Sequence, residues 1–156
     1  MSQPLEINGW KIYFHPCFLT TFNDMKAEVV RLRNAHPDTY MSMEATQRFR
    51  AVLKVITQII PADPGAEVFR QGKTMGAVNK QWKRVKFLQQ YRLFFRYHSG
   101  HKIIILAWVN DESTLRAYGS KTDAYKTFKK MLGNGNPPGD WDTLLKASTN
   151  DPNYLR

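Results

Sequence analysis

Apolar positions along the chain change their spacing several times, and each change marks an element. Trp10, Ile12 and Phe14 alternate with Lys11, Tyr13 and His15, the period-two pattern of a strand with one buried face. Pro16 suits the first turn of a helix, where its missing N–H costs nothing. Phe18, Phe22, Met25, Val29 and Leu32 then recur at helical spacing, which predicts a helix ending near Ala35. After the His36-Pro37-Asp38 turn, Phe49, Val52, Leu53, Ile56 and Ile60 share one face of a second helix over about Met41–Ile60. Pro61 and Asp63-Pro64-Gly65 are expected to stop it. Two helices joined by so short a turn should pack as an antiparallel hairpin.

The second half of the chain reads differently. Phe69–Asn79, with Gly72, Lys73 and Gly76 and followed by Lys80, is an irregular basic loop. Three strands are predicted at Trp82–Phe87, Tyr91–His98 and His101–Val109, the last two joined by a two-residue turn at Ser99-Gly100. Ile103–Val109 is apolar on both faces and should be a central strand covered on both sides. Asn110–Ser120 is a polar loop. Thr122 is placed to cap a last helix that buries Tyr125, Phe128, Met131 and Leu132. Gly133–Gly139 breaks that helix, and Asp140 precedes one or two further helical turns through Trp141, Leu144 and Leu145. Residues 149–156 read as a polar, mobile tail. The order β, α, α, β, β, β, α predicts an α+β fold over residues 1–148: a helical hairpin on a small antiparallel sheet, with a C-terminal helix.

Composition narrows the function. Twenty-three Lys and Arg against 13 Asp and Glu give a net charge of +10, which favours an anionic partner. A hydrophobic share of 42% excludes a disordered polycation. The lone Cys17 excludes an internal disulfide framework and a multi-cysteine zinc site. The N-terminus lacks the apolar core of a secretory signal, and the longest apolar run, Ile103–Val109, is too short to span a bilayer. A cytoplasmic protein without a membrane partner is therefore expected.

The cations concentrate on the predicted strands. Arg84 and Lys86 share one face of the first, and Val85 and Phe87 share the other. On the second, Arg92, Arg96 and His98 lie opposite Tyr91, Leu93, Phe95 and Tyr97. A sheet with one apolar and one arginine-rich face is a cradle for a polyanion. Asp111 and Glu112 are unaccompanied, and His15, His36 and His101 fall in separate turns, so the pattern points to RNA handled by cations, with no metal or other cofactor. Cutting RNA this way needs a proton acceptor for the attacking 2′-hydroxyl, cationic stabilisation of the transition state and support for the departing 5′-oxygen. Arg84, Arg92, Arg96 and Arg116 suit the second task through their planar forks. Lys83, Lys86 and Lys121 suit backbone phosphates or proton transfer, and Tyr118, Tyr125 and His98 suit proton transfer or base stacking. Tyr125 also lies on its helix's apolar stripe, so a core role competes. Phosphate-loop, dinucleotide-binding and nucleophile-elbow motifs are absent from the sequence; Gly72-Lys73-Thr74 is only a fragment of the first.

Taken together, these residues resemble the YhaV toxin family, within the RelE-like superfamily of messenger-RNA interferases. The resemblance runs from Asn8-Gly9-Trp10 and His15-Pro16 to Pro137-Pro138-Gly139-Asp140-Trp141. Its most specific parts are Arg84-Val85-Lys86-Phe87, Tyr91 to Tyr97 and Trp108-Val109-Asn110-Asp111-Glu112, completed by Leu115-Arg116, Tyr118-Gly119 and Lys121-Thr122-Asp123-Ala124-Tyr125. It implies a growth-inhibiting, metal-independent endoribonuclease that cleaves mRNA in a ribosome-dependent way. A PrlF-type antitoxin with an AbrB-like fold would neutralise it, and the complex would bind operator DNA and repress its own operon. By order along the chain, the resemblance assigns transition-state charge to Arg84 and Arg92, the scissile phosphate to Arg116, and proton transfer to Lys86 or Tyr125. Lys83, Arg96, His98, Tyr118 and Lys121 are the expected RNA-binding residues. Two readings compete: a non-catalytic RNA- or ribosome-binding inhibitor of translation, and a basic subunit that serves mainly operator binding.

Overall fold

A computed structural model describes residues 3–72 and 74–155. The chain opens with a hairpin, β1 (Glu6–Ile7) and β2 (Trp10–Phe14), whose turn residues Asn8 and Gly9 both take positive φ. Asn-Gly is the strongest short hairpin signal a sequence carries, because both positions tolerate the left-handed region the turn demands. The strand reading had begun only at Trp10. Helix α1 (Pro16–Ala35) follows directly, with His15 as its N-cap accepting the Cys17 N–H on Nδ1 at 3.1 Å. Burial alone pushes the His15 imidazole below its ordinary value.

Helix α2 (Glu44–Lys54) returns antiparallel to α1, completing the expected hairpin, but does not end at Pro61. It passes through a π-helical stretch, Val55–Ile59, into the short α3 (Ile60–Ala62). Pro61 lacks an N–H and crowds the carbonyl four residues before it, and a widened turn immediately upstream accommodates both faults.

Three strands follow: β3 (Lys83–Phe87), β4 (Tyr91–His98) and β5 (Ile103–Val109). The sheet order is β1-β2-β5-β4-β3. All neighbours are antiparallel except β2 and β5, which pair parallel from Lys11 with Ile103 to Phe14 with Leu106. The expected wholly antiparallel sheet is thus mixed at one step, because α1 and α2 carry the chain away before it re-enters beside β2. The β4–β5 loop is also longer than the expected two residues: His98 pairs with Ile103, leaving four between.

Helices α4 (Ala124–Gly133) and α5 (Trp141–Lys146) complete the fold. Asp123, not Thr122, caps α4, its carboxylate accepting the Tyr125 and Lys126 N–H groups. The segment read as a mobile tail is docked. Thr149 bridges Phe14, Asn150 bonds the backbone of Leu5 and Ile12, and the Tyr154 ring meets Phe14 edge-on at 5.2 Å.

Both faces of the sheet are covered. One carries Ile12, Phe14, Leu93, Phe95, Ile104 and Leu106 against Phe18, Phe22, Val52 and Ile56 of the helical hairpin. The other carries Phe94, Ile105, Ala107 and Trp108 beneath Tyr125 and Phe128 of α4 and Leu144 of α5. Phe94 pairs with Trp108 and Phe95 with Leu106, so Ala107 is the extra residue of a bulge, which turns Ala107 and Trp108 to the same face. Phe128 stacks on Phe94 at 4.3 Å and on Trp108 at 5.7 Å. Each such ring contributes about 1.5–3 kcal/mol by burial. The open arginine face expected from strand alternation is therefore a second core, with its arginines distributed around the margin.

Candidate active site

Three elements bring cations to one edge of this second core. β3 supplies Arg84, β4 supplies Arg92, and the loop between β5 and α4 supplies Arg116. Arg84 and Arg92 are buried, at 8% and 7% exposure, in register positions diagonal to each other across the β3–β4 pair. Both aim their Nε–H at one atom, the hydroxyl oxygen of Tyr125 in the first turn of α4, at 2.9 and 3.1 Å. The forks are fixed from behind as well. Arg84 Nη1 donates to the Val68 carbonyl at 2.7 Å, and Arg92 Nη1 donates to those of Gln89 and Tyr91 at 2.9 and 2.8 Å. Leu88 and Gln89 in the β3–β4 loop hold positive φ, a conformation that non-glycine residues adopt at a cost. It turns the Gln89 carbonyl onto Arg92.

Arg116 completes the group. Its guanidinium carbon lies 4.8 Å from the Tyr125 ring centroid and 5.6 Å from that of Tyr118. Nη1 donates to Asp123 Oδ1 at 2.5 Å, and the Arg116 N–H donates to the Gln90 carbonyl at 2.8 Å, tying this loop to the β3–β4 loop. A cleft of about 340 Å³ opens here, lined by Thr74, Arg116, Tyr118, Asp123, Tyr125 and Lys126. Tyr118 stands 95% exposed on its rim.

The chemistry available follows from donor and acceptor counts. A phenolic oxygen has two acceptor sites and one proton. Two cationic N–H groups converge on the Tyr125 oxygen and fill its acceptor sites, so the hydroxyl proton is the one hydrogen-bonding group it has left to offer. Arg116, bonded on one nitrogen, keeps further N–H groups for a phosphate in the cleft.

Sequence-predicted residues divide into two groups by position. Arg84, Arg92, Arg116 and Tyr125 meet, with Tyr118 beside them. Lys86 is exposed on the Arg84 face, directly across from Arg92. Lys121 is exposed in the loop before α4. Lys83 projects to the opposite face from Arg84, near Arg70; burial first, and the Arg70 charge second, lower its ammonium from the ordinary value. Arg96 and His98 share the Arg92 face but sit further along β4, Arg96 being four residues or about 13 Å from Arg92. Arg96 is held between the Trp82 and Trp141 rings at 5.4 and 5.5 Å and donates to the Gly139 carbonyl. His98 is exposed, its ring 4.6 Å from His101 and 5.7 Å from Trp141.

Two residues at this site were not singled out from sequence. Asn110, fully buried, accepts the Arg92 N–H on Oδ1 at 2.7 Å and donates to the carbonyls of Gln90 and Thr114, fastening the strand end that carries Arg92. Asp123, 3% exposed, holds both Arg116 and the start of α4. The signal for Asp123 was its cap position; for Asn110, a lone amide after an apolar strand carries none. Among the described residues no group of three or more His, Cys, Asp or Glu is arranged to hold a metal ion, and no helix is long and apolar enough to cross a membrane.

Comparison with known proteins bears on what the chain does. The YhaV toxin family model, whose description is a toxin with endonuclease activity, of toxin-antitoxin system, matches residues 12–149. The chain is 49% identical over 150 residues to the ribonuclease toxin YhaV of Escherichia coli K12, covering 95% of this chain and 97% of that protein. Toxins YhaV of Escherichia coli O157:H7 and O6:H1 match with the same identity and coverage. No solved structure matches the chain.

Proposed function

The chain belongs to the YhaV family of toxins with endonuclease activity, partnered by antitoxins, and from that premise we propose that it cleaves mRNA at the cleft lined by Arg116 and Tyr125 and backed by Arg84 and Arg92. The observation that supports this most is the convergence of Arg84 and Arg92 on one tyrosine hydroxyl beside Arg116. In this reading a scissile phosphate sits against Arg116. The 2′-oxygen bonds to phosphorus as its proton passes to a solvent water, and the bond from phosphorus to the 5′-oxygen breaks. Products are a 2′,3′-cyclic phosphate and a 5′-hydroxyl. Arg116 stabilises the extra negative charge of the transition state, an effect worth about 3–4 kcal/mol for a single well-placed donor in comparable sites. Tyr125 gives its proton to the departing 5′-oxygen, and Arg84 and Arg92 orient that hydroxyl. Lys86, exposed on the same face, is the second proton-transfer candidate. Tyr118 offers a ring for a base, and Lys121 a charge for a neighbouring phosphate. No step uses a metal.

The proposal extends to a translating ribosome as the setting. A ribosome would orient the mRNA and let this small catalytic set suffice. It extends also to the antitoxin, of PrlF type, with an acidic segment laid over the arginine-bearing edge, and to operon repression by the complex. The net charge of +10 motivates acidic masking. Raising salt should then weaken the toxin–antitoxin complex steeply, and affinity independent of salt would exclude charge masking.

The test is mRNA cleavage by purified protein with and without translating ribosomes, in a chelator, against Arg84→Ala. Ribosome-dependent cleavage that survives chelation and disappears in the variant supports the reading. Translation arrest with intact mRNA would mean that the protein binds without cutting.

A further inference from the structure

The Asp123 carboxylate has more partners than any other acidic side chain near the cleft. Oδ1 accepts from Arg116 Nη1 at 2.5 Å and from the Ala117 N–H at 2.9 Å. Oδ2 accepts from the N–H groups of Tyr125 and Lys126 at 3.1 and 3.3 Å. One buried group thereby joins the loop that carries Arg116 to the helix turn that carries Tyr125. Burial by itself raises its pKa. The bonds from Arg116, Ala117 and Lys126, with the Arg116 charge, more than reverse this, and the carboxyl is held below the ordinary range.

A cap alone needs less. Asn and Ser serve as well as Asp at an N-cap, and the cap bonds go to backbone N–H groups that any acceptor satisfies. What only a carboxylate provides is the charge-assisted bond to Arg116 alongside those caps. Arg116 otherwise lies over the Tyr125 ring at 4.8 Å, with the exposed Tyr118 ring 5.6 Å away, contacts that do not set the rotation of the guanidinium within its plane. The Asp123 bond fixes the rotation, and so decides which N–H groups face the cleft.

We propose that Asp123 is a positioning residue of the nuclease site, holding the Arg116 fork and the Tyr125 hydroxyl in one fixed relation to the scissile phosphate. The proposal rests on the reading of Arg116 and Tyr125 given above. Asp123 touches no reacting atom in it; it acts through Arg116.

A double-mutant cycle tests this, using the full chain with ribosomes and mRNA. Asp123→Asn and Asp123→Ser keep a capping oxygen, so circular dichroism should stay near the wild type, while loss of the Arg116 ion pair lowers the melting temperature. Each should lower kcat about 10- to 100-fold with KM changed little, the penalty for a misplaced group. Combined with Arg116→Ala, either should add less than about twofold to the loss from Arg116→Ala alone, since the charge that Asp123 holds is already gone. Additive losses, or wild-type kcat in both variants, would overturn the proposal. If Arg116→Ala itself cleaves normally, it is the site reading that fails. Should the variants not fold, the wild type still decides: NMR is expected to show a through-hydrogen-bond coupling between Arg116 Nη1 and the Asp123 carboxyl carbon, and its absence would refute the clamp.

Discussion

Arg92 and Arg96 leave the same face of the same strand, four residues apart, and their situations differ entirely. Arg92 lies under the start of α4 and shares a tyrosine hydroxyl with Arg84, next to a cleft. Arg96 lies beside α5, gripped by two tryptophans, and bonds the carbonyl of Gly139. One arginine is bonded to the buried hydroxyl of a tyrosine that lines a cleft, whereas the other holds down the segment before α5. Strand alternation places both on a face. The helices that cover the face determine what each can do.

The largest expected effect breaks this comparison at the Arg92 end. Tyr125→Phe removes the oxygen on which two guanidinium groups converge and should lower cleavage about 10²- to 10⁴-fold, the range of a lost proton-transfer group. It also leaves two buried donors unpaired, at a cost of about 1–3 kcal/mol, measurable by urea unfolding. Arg96→Ala should act mainly on stability. Loss of its two ring contacts is expected to cost about 1–3 kcal/mol, lowering the melting temperature by roughly 2–12 °C. Its effect on kcat should be smaller than that of Arg116→Ala. A larger effect of Arg96→Ala on kcat would show that the two ends of β4 work together.

Much of this was legible in the sequence. Helical spacing from Phe18 to Leu32 and the all-apolar run of β5 are local patterns, and both elements lie where those patterns put them. Cover on both sides was legible for the central strand Ile103–Val109 but was not carried across to the neighbouring arginine face, although Phe94 stands there between Arg92 and Arg96 and an aromatic needs something packed over it. The parallel β2–β5 pairing has no local signature, because it depends on where the helical hairpin returns the chain. Among the candidate residues, Arg84, Arg92, Arg116 and Tyr125 come together because two strands, a loop and the start of a helix meet at one edge. The cap at Asp123 was read one residue early, at Thr122, and the link from helix start to Arg116 went unread with it.

A smaller effect, outside both ends of β4, separates the pH behaviour of the fold from that of the site. His15 caps α1 with a neutral ring nitrogen, and burial lowers its folded-state pKa. A depressed value means that the unfolded chain takes up the proton first. The contribution of His15 is therefore complete above about pH 6.5 and is lost as pH falls below it, towards the lower folded-state value. Thermal unfolding between pH 7 and pH 5 should show this decline, and His15→Asn, which retains a capping oxygen, should flatten it.

The smallest expected difference sharpens the site's boundary. Lys86 shares the Arg84 face and Lys83 the opposite one. Lys86→Ala should reduce cleavage more than Lys83→Ala, and the reverse order in a kcat/KM comparison would move the RNA path to the other side of β3.

The most direct measurement is single-turnover cleavage of a ribosome-bound mRNA by wild type and by Tyr125→Phe, in a chelator, with the termini mapped. The account predicts 2′,3′-cyclic phosphate and 5′-hydroxyl ends from the wild type, and cleavage slowed at least about 100-fold in the variant, whose fold is confirmed by circular dichroism. Wild-type cleavage by Tyr125→Phe would contradict it, leaving the Arg84–Arg92–Tyr125 cluster a feature of the core and placing the chemistry elsewhere.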